Sequence, residues 1–131
     1  MPVRLSEGDA WILVAIGGHG ERSTLRNVIT SADYVNRLVP TANELEQAIN
    51  HLGKAGLVDV ADDGFALTSS GAKVLDDFGA GKKGVIDLML DLMKAWDGTL
   101  VEEVLPDFRY AVDPRTFDAA MEDYGHGGQA S

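Results

Sequence analysis

The sequence predicts a mostly α fold, ordered helix-helix-helix-β-hairpin-helix and followed by a C-terminal helical extension. Three observations predict it. Apolar residues recur at spacings of three and four within residues 24–38, 41–52 and 85–96. Capping signatures stand before several segments: Ser6, Thr41, Thr68 or Ser69, and Asp113 ahead of Pro114. One hairpin signature, two short apolar runs around Asp62-Asp63-Gly64, lies among them.

A first helix is expected from about residue 7, because Ser6 with Asp9 three residues on resembles a capping box with Asp in place of Glu. The apolar run Ala10 to Ile16 suits a helix buried on most sides, with Gly17 as a left-handed stop. The same stretch, WILVAIGGHGERST, also has the outline of a strand entering a phosphate loop. A Walker-type loop places a lysine before the Ser or Thr, and here Glu21 and Arg22 precede Ser23. A dinucleotide loop needs glycine at the sixth place, where Ser23 stands, so the glycines read as a helix end and a turn.

Leu25, Val28, Ile29, Ala32, Val35 and Leu38 mark a second helix, with an interruption expected near Thr30-Ser31 and an end at Pro40. Thr41 and Glu44 form a T-x-x-E box for a third helix carrying Leu45, Ala48, Ile49 and Leu52, stopped by Gly53 or Gly56. After the hairpin at 57–68, Thr68 or Ser69 caps a fourth helix to about Phe78, with Ala72, Val74 and Leu75 as apolar positions. Residues 79–84, GAGKKG, read as a hinge. A fifth helix spans about Val85 to Trp96, and a last one starts at Asp113-Pro114 and runs to Tyr124. The expected organisation is thus a domain at 6–78, a hinge at 79–84, an extension at 85–124 and a flexible tail at 125–131. Between them, 98–112 admits two readings: Phe108-Arg109-Tyr110-Ala111-Val112 is a strand joining a sheet edge, or an extended arm. Leu105-Pro106 argues against a helix there.

Composition narrows the function. The chain of 131 residues has 45% hydrophobic and 24% charged residues, in the range of ordinary folded domains. No apolar run is long enough to span a bilayer, and MPVRLSEGDA lacks the apolar core of a secretion signal, so a cytoplasmic protein is expected. Without cysteine there is no disulfide, thiolate metal site or cysteine nucleophile. His19, His51 and His126 are too scattered for a helical zinc site. The net charge of −10 repels polyanions at long range. It divides evenly: residues 1–78 hold six basic and eleven acidic side chains, and 79–131 hold five and ten. No segment is a basic footprint for nucleic acid.

From Thr24 to Phe78 the chain resembles the winged-helix family, helix-turn-helix domains with an added β-hairpin. The likeness rests on ANELEQAINHLGKAGLVDV, an amphipathic helix leading into the first hairpin strand, and on GFALTSSG, the second strand running into a capped helix. It covers roughly residues 8–78, and ADYVNRLVPTANELEQAINHLGKAGLV looks like uncharacterised bacterial members, which implies no activity. In DNA-binding members the helix matching 42–52 lies in the major groove and the hairpin touches the backbone or minor groove. The resemblance therefore implies, as an alternative function, a dimeric transcriptional regulator reading DNA with Asn43, Gln47, Asn50, His51 and Lys54. Glu44 and Glu46 on that face, and Asp59, Asp62 and Asp63 around the hairpin, oppose phosphate.

Other constellations lead nowhere. Asp59, Asp63 and Gly64 match three calcium-loop positions, but Ala61 and Ser70 occupy ligand places. Asp87 and Asp91 read as a solvated face, Ser69 and Ser70 as caps, and Arg22, Arg26 and Arg37 as helix surface. A non-enzymatic protein without metal or cofactor is expected. The helix at 85–96 is wider in its apolar surface than one contact buries. Its stripe of Val85, Met89, Leu92, Met93 and Trp96 serves either as core or as the interface of a homodimer or protein partner. The primary expectation is an acidic interaction module that binds itself or another protein.

Overall fold

The computed structural model describes residues 2–17, 22–36, 39–61 and 64–129. Its elements, in order, are β1 (Val3–Leu5), α1 (Glu7–Gly17), α2 (Leu25–Asn36), α3 (Ala42–Lys54), β2 (Val58–Ala61), β3 (Gly64–Leu67), α4 (Ser69–Asp77), α5 (Val85–Ala95), β4 (Thr99–Val101) and α6 (Pro114–Gln129). The protein is mostly helical, with two small antiparallel sheets, β1 with β4 and β2 with β3. Among the described residues no helix is long and apolar enough to cross a membrane.

α1 is the axis. Every residue from Asp9 to Ile16 is buried, because a helix apolar all round must be enclosed all round. α2, α3, α5, α4 and β3 all pack on it. The Ser6 N–H donates to Asp9 Oδ2 at 2.9 Å, as the capping signature predicts. Gly17 differs from expectation: it is the last helical residue and has no positive φ. A Cβ there would lie 2.5 Å from Leu75 Cδ1, so the glycine admits α4 close to the end of α1. The remaining glycines of that cluster, Gly18 and Gly20, lie outside the described residues.

α2 is continuous where an interruption at Thr30-Ser31 was expected. The Thr30 hydroxyl donates to the Arg26 carbonyl at 2.9 Å, one turn back, so this polar pair is accommodated inside the helix. Trp11 Nε1 donates to the Ala32 carbonyl at 2.9 Å and joins α1 to α2 within the core. α3 carries the full capping box between Thr41 and Glu44. It ends at Lys54, where Gly56 takes φ of 75° and Leu57 N–H returns to the Leu52 carbonyl at 2.9 Å. Gly56, not Gly53, is therefore the stop.

The hairpin pairs Val58 with Leu67 and Ala61 with Gly64, and its turn residues lie outside the described set. A pairing no sequence pattern indicated joins it: Ser23 exchanges two backbone hydrogen bonds with Phe65, at 2.7 and 2.8 Å. β1 and β4 were likewise not foreseen, since three residues are too few for periodicity to register. Residues 79–84 form tight turns with positive φ at Gly79 and Gly81, and Ala80 packs against the core. α6 packs on α2 and extends to Gln129, over part of the segment expected as a loose tail. Apolar spacing shows where a helix is buried, not where its last turns end.

Of the α5 stripe offered as either core or interface, Met89, Leu92 and Trp96 belong to the core. Met89, Leu92 and Trp96 are buried, Val85 and Met93 are half-buried against the same cluster, and α5 lies on α1. The surplus apolar surface is Ile86 and Leu90, 41% and 52% exposed on the outside. A helix this wide in apolar surface leaves some on each side, and spacing alone does not say which side meets α1. Leu92→Ala should cost about 2–5 kcal/mol of stability and Leu90→Ala no more than about 0.5 kcal/mol, read by urea denaturation. Similar losses at both positions would contradict this placement.

Candidate functional site

The residues expected to read a ligand all sit on α3, whose inner face is held by Leu45, Ala48, Ile49 and Leu52. What remains divides into three strips. Asn43 and Gln47 are exposed along the outer strip, and half-buried Lys54 ends the helix. Glu44 and His51 face the start of α1. Glu46, Asn50 and Gly53 face the hairpin side, and there the chain covers them itself.

Residues 104–112 run as an arm along this third strip, turning at Pro106-Asp107, where the Phe108 N–H donates to the Leu105 carbonyl at 3.0 Å, and extended from Phe108 to Val112. The Val104 and Leu105 N–H groups donate to the Lys54 carbonyl at 2.8 and 3.0 Å. Asn50 clamps the peptide at Tyr110 from both ends: its Nδ2 donates to the Tyr110 carbonyl at 2.7 Å and its Oδ1 accepts the Tyr110 N–H at 2.8 Å. Glu46 Oε1 accepts the Val112 N–H at 2.8 Å. Phe108, Tyr110 and Val112 are half-buried and alternate with exposed Arg109, Ala111 and Asp113, as an extended chain requires. The Phe108 ring lies where a Cβ on residue 53 would stand, 2.1 Å from its position, so only glycine lets the arm approach α3. Tyr110 meets Phe65 of the hairpin edge-on, with ring centroids 5.5 Å apart. Burial, and next the Glu46 carboxylate, push the Tyr110 phenol above its ordinary pKa.

Of the two readings for 98–112, the arm is the one adopted, with β4 preceding it. The alternation F-R-Y-A-V was legible as an extended segment; the surface that receives it was not. Glu46, Gly53, Phe108, Tyr110 and Val112 are thus members of this site that sequence reasoning did not assemble. Asn50 falls within the expected reading set, yet both ends of its amide are engaged by the arm. The three hydrogen bonds to Asn50 and Glu46, of about 1 kcal/mol each, and partial burial of two aromatic rings hold segment 108–112 by only a few kcal/mol.

His51 is engaged on the opposite strip. Its Nδ1 lies 3.0 Å from Oδ2 of Asp9, which is 2% exposed. Burial raises the Asp9 pKa above the ordinary carboxylate value, while the Ser6 N–H and His51 pull the other way and do not overcome it. Arg22, one of the few basic groups near the hairpin, is tied down: its Nη2 contacts Asp59 Oδ2 at 2.6 Å and its Nη1 donates to the Gly64 carbonyl. Arg26 is exposed, and Arg37 lies outside the described residues. Asp91 pairs with Lys83, as a solvated carboxylate does, and Asp87 is exposed.

No protein-family model matches the chain, and comparison with curated proteins and with solved structures gives no match either.

Two outcomes test this geometry. Gly53→Ala and Asn50→Ala should each speed hydrogen exchange at the Tyr110 amide while leaving Ile49 and Leu52 protected; unchanged exchange in both would place the arm elsewhere. For Asp9, a raised folded pKa means stability fully present below the ordinary carboxylate pKa and lost as pH rises through the raised value. Asp9→Asn should therefore gain on the parent in denaturation midpoint as pH rises above the ordinary carboxylate pKa. A gap that is constant, or that closes as pH rises, would contradict the assignment.

Proposed function

We propose that this protein is a non-enzymatic winged-helix interaction module that associates with itself or with another polypeptide and does not grip DNA directly. The observation that carries the reading is the seat of the arm: residues 104–112 lie along α3 beside the hairpin, the region that DNA-binding members of that family present to a duplex. The order of α1, α2, α3, hairpin and α4, with Ser23 added as a third partner to the hairpin, is what supports the winged-helix comparison.

Electrostatics support it too. A reader of DNA gains most of its nonspecific affinity by replacing counterions with Lys and Arg. Here the α3 and hairpin surface carries Glu44, Glu46 and Asp59, while Arg22 is paired with Asp59. A duplex approaching this face would meet like charge. It would also have to displace the arm from Asn50.

The regulator reading requires Asn43, Gln47, Asn50, His51 and Lys54 to act together. The five share one side of α3, but two of them are already engaged: Asn50 holds the arm and His51 contacts Asp9, while Asn43 and Gln47 are exposed. A labelled random-sequence duplex at low salt, where attraction is strongest, should show no binding at micromolar protein, and sedimentation of the same protein should show mass rising with concentration. Retention of the duplex would favour the regulator. A protein that stays monomeric would remove self-association.

A further inference from the structure

We infer that the open cavity between β1, the last turn of α3 and the segment after β4 binds a small divalent oxyanion, free phosphate or the phosphate group of a small ester, with Arg4, His51 and Lys54 as its donors. The inference goes beyond the interaction module and does not depend on it. The cavity holds about 480 Å³, within the ~300–1,000 Å³ of small-molecule sites, and its polar lining is Arg4, Ser6, His51, Lys54 and Glu103. In a chain with 21 acidic and 11 basic residues, folding gathers cations from β1 and α3 around a single carboxylate. Other cations meet carboxylates: Arg22 pairs with Asp59, Lys73 with Asp77 and Lys83 with Asp91. Among the described residues, no hydrogen bond or ion pair engages the side chain of Arg4 or Lys54.

His51 is oriented from behind. Its Nδ1 lies 3.1 and 3.0 Å from the two carboxylate oxygens of Asp9. Asp9 is 2% exposed and lines a separate, smaller cavity with Glu44 and Gln47. With Nδ1 committed, Nε2 is the nitrogen left for a ligand, and a carboxylate on one ring nitrogen fixes the direction of the other. Proton uptake makes Nε2–H a donor beside the planar guanidinium of Arg4 and the ammonium of Lys54.

The charged groups around His51 are Asp9 on α1, Glu44 and Lys54 on α3, Arg4 on β1 and Glu103 after β4. Of the three carboxylates, only Glu103 shares the anion's cavity, where it stands against two permanent cations. The carbonyl end of α3 also disfavours an anion, but the Lys54 carbonyl is already bonded by the Val104 and Leu105 N–H groups. Two permanent charges favour a dianion over a monoanion, and donors of three kinds suit the three terminal oxygens of a phosphate group. At ~30 Å³ per water the cavity equals roughly sixteen waters, which leaves space for the body of an ester beside its phosphate.

Amide chemical-shift titration with sodium sulfate, at ionic strength held constant with sodium chloride, reads the site. Sulfate serves because it keeps its charge across the pH range, whereas phosphate titrates within it. The intact chain should bind sulfate in the millimolar range, about tenfold tighter at about pH 6 than at about pH 8. His51→Gln should remove that pH dependence. Arg4→Gln and Lys54→Gln should each weaken binding about tenfold at both pH values, the loss of one charge-assisted contact. Lys73→Gln, outside the cavity, should leave it unchanged. Inorganic phosphate against glycerol phosphate then separates the two sources: tighter binding of the ester assigns the cavity to small phosphate esters, and equal or weaker binding assigns it to the free anion. Affinity unchanged in both Arg4→Gln and Lys54→Gln, or shifts that chloride reproduces, overturns the proposal. A pH dependence that persists in His51→Gln overturns the part given to His51.

Discussion

The structure depends on enclosing α1. Eight consecutive residues, Asp9 to Ile16, are buried in a helix with no polar side to turn to water. Each apolar side chain fully removed from water contributes roughly 1.5–3 kcal/mol, and that gain requires a neighbour on every face. α2, α3, α5, α4 and β3 are those neighbours. The amphipathic stripes on α2, α3 and α5 are consequences of that arrangement, as is the glycine that lets α4 close over the end of α1.

Among the described residues, enclosure leaves two polar residues inside, Asp9 and Ser23, and both are given partners. Ser23 is fully buried, with its backbone paired to Phe65 and its hydroxyl directed at the Ile16 carbonyl. Asp9 accepts from Ser6 and contacts His51, so a single carboxylate caps α1 and ties its start to α3. A buried carboxylate without such donors would cost several kcal/mol or stay protonated. The raised pKa of Asp9 records the part of that cost its partners do not offset.

α3 then serves three surfaces at once. Its inner face belongs to the core, His51 to the start of α1, and Glu46, Asn50 and Gly53 to the arm. A helix committed in this way has little side chain left for base edges. Its carboxylates suit backbone N–H donors better than phosphate, and Glu46 illustrates this by accepting from Val112. The arm is held less firmly than the core around it, by main-chain bonds and two half-buried rings.

Sequence alone determined the local order: the helices, the T-x-x-E box at Thr41, the hairpin around Asp-Asp-Gly, the Asp113-Pro114 start and the acidic balance. These are legible because caps, turns and periodicity act over a few residues. For 108–112 it left two readings open, a strand at a sheet edge or an extended arm. Only the tertiary structure decided which surfaces meet. The stripe of Met89, Leu92 and Trp96 had the chemistry of either a core or an interface, and contact with α1 made it core. Asn50 and His51 looked available because the partners that commit them lie 60 and 42 residues away, at Tyr110 and Asp9. Pairings at that separation are set by the packing of whole elements around α1, and no pattern within a short window encodes them.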